Sequence, residues 1–212
     1  MNMVAVNMVA VNTEAQERDL QKVLAFHKKE APGIYIAVVM VHMALETLGE
    51  VKSSLNAVAE TEWCLPDAIQ VLTGCTTGNR QMQIAPDLGR YALTLFDRDS
   101  GRGCRVSVQL KSIQEKQYPE LFRFFTRTRD PKLSNDSKAR KLSGKKIVEE
   151  FSRAGRSILL CEPVQIRNPG KPPIPPAVIC PKCGESFLIE SVSRKECTVC
   201  EGNGYYLPSK KL

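Results

Sequence analysis

Tyr91-Ala-Leu-Thr-Leu-Phe-Asp97, Asp99-Ser-Gly-Arg-Gly103 and Cys104-Arg-Val-Ser-Val-Gln-Leu110 follow one another with only Arg98 between, and this stretch decides the fold class. The flanking runs have the composition and alternation of strands, and Asp-Ser with two glycines between them supplies the turn. The pattern predicts a hairpin with Val106, Val108 and Leu110 on one face. Upstream, Ile34, Ala37, Val38, Val41, Leu45 and Leu48 recur at helical spacing and Gly49 stops the run, which predicts a central core helix over Ile34–Leu48. His42 and Glu46 inside it, and its length, are wrong for a membrane span.

Working outward, Leu20 to His27 reads as a short helix, and Pro32-Gly33 breaks the chain after it. Asn56–Thr61 and Gln81–Ala85 read as strands around a short helix that Pro66-Asp67 opens and Gly74 ends. Pro119–Phe125 and Lys145–Ala154 read as helices, the second with Ile147, Val148 and Phe151 inward. Strands and helices interleave without a regular βαβ repeat, so the fold class is α+β, a mixed core with a central helix and an antiparallel sheet. Ile166 to Pro176 carries five prolines in eleven residues, a stiff linker. The expected organisation is a tail over 1–19 and a core over 20–165 with a basic helical connector at 121–165. A Pro-rich linker at 166–178 and a four-cysteine module at 179–212 complete it.

That module rests on Cys180-Pro-Lys-Cys183 and Cys197-Thr-Val-Cys200. Two CxxC pairs separated by thirteen residues have the spacing of a tetrahedral zinc site, because each pair presents two thiolates from one tight turn. Gly184 suits the first turn. Four protein ligands leave no open position for catalysis, so the zinc expected here is structural. A disulfide oxidoreductase needs one CxxC in a βαβ context, and iron–sulfur ligation fits a CxxC hairpin less well than zinc.

With 212 residues, 42% hydrophobic, the chain has the size of one ordinary domain plus an appendage. Eight cysteines without a secretory leader argue for the reducing cytoplasm. Met1–Asn12 repeats Met-Val-Ala-Val-Asn but is far short of the ~20 residues a membrane helix needs, and reads as a flexible tail or an edge strand. Residues 121–171 hold 13 Lys and Arg against 5 Asp and Glu, a surplus larger than the whole chain's net charge of +7. This basic segment, with Lys138, Arg140, Lys141, Lys145 and Lys146, could meet phosphate backbones, although a solvated helix face has the same composition.

Phe26-His27 with Pro32-Gly33, then Cys64 and Asp67-Ala-Ile-Gln-Val-Leu-Thr-Gly-Cys75-Thr, then Gly89-Arg-Tyr-Ala-Leu-Thr-Leu-Phe, resemble the E-subunit family of formylmethanofuran dehydrogenase. The resemblance covers roughly residues 20–110, and the tail matches the finger that some members append. It implies an α+β core, an intertwined homodimer and a treble-clef type zinc finger. The family's Phe-His-Gly-His-x-Cys-Pro-Gly segment contributes to a metal or active site. Here Phe26, His27, Pro32 and Gly33 are kept, whereas Lys29 and Ala31 stand in place of two donors. His27, Cys64 and Cys75 remain as an expected core metal set, with Gly74, Gly78 and Asn79 along a pocket wall. Two cysteines, a histidine and a water would make an open zinc site.

Two function classes follow. The resemblance implies a metal-binding accessory protein linked to one-carbon, methanogenesis-type metabolism, with the other chains of a dehydrogenase complex as partners and the redox chemistry housed in them. The residues themselves also allow a zinc-finger binding module that contacts nucleic acid or protein, acting as a metal-responsive regulator. A stand-alone enzyme would need a base and an open metal, which the replacements at 29 and 31 weaken.

Overall fold

The structure is a computed structural model that describes residues 14–171, 173–189 and 195–206. Met1–Asn12, expected as a tail or an edge strand, lies outside those residues. The chain divides into two compact units, 1–170 and 171–212.

Unit 1 is built on α2 (Pro32–Leu48), whose residues are buried almost all round: Ile34, Ile36, Ala37, Val38, Val39, Met40, Val41, Met43, Ala44 and Leu48. A helix so apolar can stand only at the centre of a core. Each fully buried Ile or Met there contributes about 1.5–3 kcal/mol. α1 (Glu14–His27) and α3 (Leu65–Thr73) pack on it, with α5 (Ser137–Ala154) and strands β3, β4 and β5 on its other sides. The strands are β1 (Leu55–Ala59), β2 (Met82–Ile84), β3 (Ala92–Asp97), β4 (Arg102–Val108) and β5 (Leu159–Gln165), in the order β2-β1-β3-β4-β5. All neighbours are antiparallel except β1 and β2, which are parallel, so the α+β core holds a mixed sheet. All six residues of β3 are buried, as befits the middle strand.

The expected hairpin is β3–β4, but it ends at Val108. Leu110 starts a single 3₁₀ turn and is exposed, so it does not share the face of Val106 and Val108. α1 begins at Glu14, six residues before the apolar spacing announces it, because its first turns are polar apart from buried Gln16. α5 likewise begins before Lys145. Asp136 caps it, accepting from the amides of Lys138 and Ala139 at 2.9 Å each, so the basic cluster forms its first half. Glu150 of α5 is buried and accepts from Leu121 N at 2.8 Å, satisfying a first-turn amide of α4 (Pro119–Thr126). No described helix is long and apolar enough to cross a membrane.

Unit 2 holds an antiparallel hairpin, β6 (Ala177–Ile179) and β7 (Ser186–Leu188), followed by the second cysteine pair.

Candidate functional site

Two places carry concentrated chemistry. In unit 2, Gly184 N donates to Cys180 O and Cys180 N to Glu185 O, both at 2.9 Å, which closes the first turn with Gly184 at φ +78°. The second turn closes through Glu201 N to Cys197 O at 3.0 Å, with Gly202 at φ +86°. Only glycine adopts that backbone without strain. These turns bring the sulfurs of Cys180, Cys183, Cys197 and Cys200 within 4.8 Å of one another, and Cys183 Sγ lies 3.8 Å from Cys197 Sγ. A tetrahedron of thiolates at ~2.3 Å from a metal has edges of about 3.8 Å, so the donors fit a four-coordinate ion. Backbone amides of Cys197 and Cys183 pointed at Cys180 lower its thiol to about 6, favouring the thiolate a metal needs. Lys182 pairs with Glu196 at 2.7 Å and ties one turn to the other.

The second place is in unit 1, where α1, α2 and α3 meet. Cys64 is the N-cap of α3 and holds φ +57°, unusual for a residue with a Cβ. Its sulfur rests against Gly33 in the first turn of α2: a Cβ at Gly33 would lie 2.7 Å from Cys64 Sγ and 2.9 Å from Tyr91 Oη. Tyr91 Oη donates to Gly33 O at 2.7 Å. His27, at the end of α1, shares a 2.6 Å hydrogen bond through Nδ1 with Asp67 of α3. That bond fixes the ring and leaves Nε2 as the nitrogen for a ligand, the arrangement carboxylates impose on metal-binding histidines. Burial, with Asp67's charge added and Arg127's opposing, pushes the Cys64 thiol up to about 11. Burial likewise carries Tyr91 well above its ordinary value. Among the described residues four non-glycines have positive φ: Lys28, Cys64, Arg80 and Arg127. Three of them adjoin this site, and strained backbone concentrated in one place points to function.

A cleft of about 540 Å³ opens beside it, with Arg90, Tyr91, Arg105, Phe124, Phe125 and Arg127 among its walls. Its floor is ionic. Glu60, buried, takes Arg105 through two bonds at 2.7 and 3.0 Å and Arg90 at 2.6 Å. Arg127 stacks over exposed Trp63, 4.1 Å from the ring centre.

Of the core set expected from sequence, His27 and Cys64 share Asp67 as a neighbour, and Cys75 stands apart. Cys64 and Cys75 flank opposite ends of a nine-residue helix, about 13 Å long at ~1.5 Å per residue. The Cys75 thiol donates to Leu55 O at 3.1 Å in the core. Among the described residues, the tail tetrad is the group of three or more His, Cys, Asp or Glu side chains whose ligand atoms converge. Gly74 and Asn79, expected along a pocket wall with Gly78, close their own turn: Asn79 Nδ2 donates to Gly74 O at 2.9 Å, and none of the three lines this cleft. Sequence reasoning missed Asp67's role, the Glu60 ion cluster, Trp63 and Arg127. A carboxylate three residues after Cys64, in the first turn of α3, was the one signal available for Asp67.

The architecture and sites define an α+β protein whose core carries a histidine–carboxylate–cysteine cluster beside an arginine-rich cleft, joined to a four-cysteine module that could bind a metal. The particular family follows from comparison. The chain matches the family described as "FmdE, Molybdenum formylmethanofuran dehydrogenase operon" over residues 26–166, and it belongs to that family. The crystal structure of an FmdE-like protein of the tungsten formylmethanofuran dehydrogenase, from Syntrophus aciditrophicus, superposes with a TM-score of 0.72 at 30% identity, covering 94% of this chain and 100% of that one. A probable S-adenosyl-L-methionine-binding protein of Archaeoglobus fulgidus is 30% identical over 202 residues, 89% of this chain and 54% of that protein. The chain therefore spans about half the length of that curated relative.

Proposed function

We propose that the chain is a zinc-binding accessory protein of the FmdE type, which serves a one-carbon dehydrogenase or a related complex in the cytoplasm as a homodimer and leaves the redox chemistry to its partners. The observation that carries this reading is the convergence of four thiols at zinc-like spacing in a chain of this family. In the tail, Cys180, Cys183, Cys197 and Cys200 hold zinc as a closed structural site, and the metal's role there is to fold the module. In the core, His27 and Cys64 are the donors through which an open second site would form. Asp67 orients His27, and Cys75 acts as a core thiol.

The test is metal content per chain with Cys183→Ser and Cys64→Ser alongside. One zinc lost with Cys183→Ser, and light scattering at twice the chain mass, support the reading. A second metal lost only with Cys64→Ser extends it to the core. Purified chain without metal in any form overturns it. The cleft is tested separately by titrating S-adenosyl-L-methionine, the ligand in the archaeal relative's name, into unmutated and Arg127→Ala protein.

One observation favours the binding-module alternative. Lys138, Arg140, Lys141, Lys145 and Lys146 are all exposed, and all lie on α5. Nucleic-acid affinity that falls by orders of magnitude between low and moderate salt would support it, and no binding at low salt removes it.

A further inference from the structure

We propose that Cys104 and Cys161 form a redox-active dithiol across β4 and β5, which a disulfide-bearing oxidant converts to an intramolecular disulfide. Their sulfurs lie 2.8 Å apart although the residues are 57 positions distant in sequence. Neither belongs to the tail tetrad or to the His27–Asp67–Cys64 cluster. The register explains the approach. Val106 pairs with Cys161, and Cys104 pairs with Pro163, so the two cysteines are diagonal neighbours on one sheet face.

The pair is asymmetric in the way thiol–disulfide exchange requires. Cys104 is buried, whereas Cys161 is half-buried on the edge strand and reaches Thr47 Oγ1 of α2 at 3.2 Å. The Cys104 hydrogen bond lowers the Cys161 thiol to about 7, with help from Thr47 and Arg156 and against burial and Glu162. Arg156 is itself held by Glu46 through bonds at 2.6 and 2.7 Å, which sets its guanidinium beside this pair. Near neutral pH Cys161 therefore supplies the thiolate that attacks, and Cys104 the thiol that resolves.

Diagonal positions stand wider apart than most disulfides, about 7–8 Å between Cα atoms against the usual 4.4–6.8 Å. Closing the bond draws β5 inward. The strand is free to move because it is an edge, and Pro163 opposite Cys104 has no N–H to give the ladder. A bond closed under strain is easily reduced again, so the couple is reversible rather than a permanent staple.

The chemistry balances with oxidised glutathione. The Cys161 thiolate attacks one glutathione sulfur, breaks that S–S bond and expels a thiolate that takes up a proton. Cys104 then gives up its proton, attacks the Cys161 sulfur and expels the second glutathione. Two protein thiols lose two electrons, and one small disulfide gains them.

The experiment treats the full-length metal-loaded chain with graded ratios of oxidised to reduced glutathione, alkylates the remaining thiols and sequences the peptides by mass spectrometry. The expected result is one cross-linked pair joining the Cys104 and Cys161 peptides, reversed by dithiothreitol. Cys104→Ser should stop at a glutathione adduct on Cys161, and Cys161→Ser should leave Cys104 unmodified. Alkylation of Cys161 in the reduced chain should reach half its maximal rate near pH 7, below the ordinary thiol value of about 8.5. A lasting glutathione adduct on Cys161 of the unmutated chain, with Cys104 still free, overturns the proposal. So does an absence of modification at both residues throughout the series, whatever the variants do.

Discussion

Gly33→Ala is the sharpest single change the core offers. The added methyl would sit 2.7 Å from Cys64 Sγ, 2.9 Å from Tyr91 Oη and 3.1 Å from Cys64 Cβ, all closer than side-chain carbons approach. Neither neighbour can swing aside easily. Cys64 is fixed by its N-cap position at φ +57°, and Tyr91 by its bond to Gly33 O. Overpacking of this kind costs about 1–3 kcal/mol. Alanine returns about 0.5–1 kcal/mol because glycine is a poor helix residue. The clash wins, leaving the core about 1–2 kcal/mol less stable, or roughly 2–8 °C in Tm at about 2–4 °C per kcal/mol. Urea unfolding followed through the lone tryptophan, Trp63, would measure it, with Cys64→Ala and the double variant completing a cycle. Truncating Cys64 removes the contact, so the double variant should recover most of the loss caused by Gly33→Ala. An unchanged midpoint for Gly33→Ala, or strictly additive costs, would refute the close approach.

Glu60→Ala leaves Arg105 buried with only Glu162 at 3.3 Å, and should cost about 3 kcal/mol in the urea midpoint. Asp97 accepts bonds from the amides of Lys52, Ser53, Asp99 and Ser100 and from both serine hydroxyls. The amide of Ser100, foremost among these donors, holds its carboxyl well below the usual carboxylate range. Because the folded value is depressed, its stabilisation is complete above the unfolded value of about 3.9 and is lost as pH falls towards the folded one. Asp97→Asn should lower stability at pH 6 and flatten its decline below pH 4, as read from urea midpoints across pH. Lys28 occupies the glycine position of the Phe-His-Gly-His pattern and holds φ +62° after His27. Lys28→Gly relieves about 1–2 kcal/mol of left-handed strain against about 0.4–1 kcal/mol of unfolded-chain entropy, so Tm should rise by a few degrees.

What the sequence revealed follows the range of the interactions. The periodicity of Ile34–Leu48 is a local signal, and α2 appears where it points. The CxxC turns are equally local, so the tetrad was legible to the residue. β5 was missed because Pro163 interrupts it, and proline is tolerated there only because the strand is an edge. The first half of α5 was missed because it carries no apolar stripe: its inward position is Ser143, bonded to Glu120 and Arg129. The Cys104–Cys161 contact and the Glu60–Arg105 bonds join residues 57 and 45 positions apart, and no local pattern announces such pairs. Pro32-Gly33 shows an intermediate case. The pair reads as a chain break, and it is one, but the glycine is required by a sulfur from a helix thirty residues on.

The replacements at 29 and 31 can be turned into a decisive experiment on the core. Ala31 is the N-cap of α2, in extended backbone at φ −139°, and it makes no side-chain cap. A thiol at a helix N-terminus is favoured as thiolate by the amides and dipole there, whereas burial and Asp67 keep the Cys64 thiol protonated up to about 11. Position 31 is thus where a core metal would find its readiest sulfur, and Lys29 replaces a neutral donor with an ammonium that repels a cation. Lys29→His with Ala31→Cys should raise zinc from one to two per chain, the added equivalent being lost again on His27→Ala. If the double variant stays at one zinc and folds, the core cluster is not a metal centre that two substitutions have closed. The His27–Asp67 pair beside the cleft would then serve a small ligand directly, as hydrogen-bonding groups.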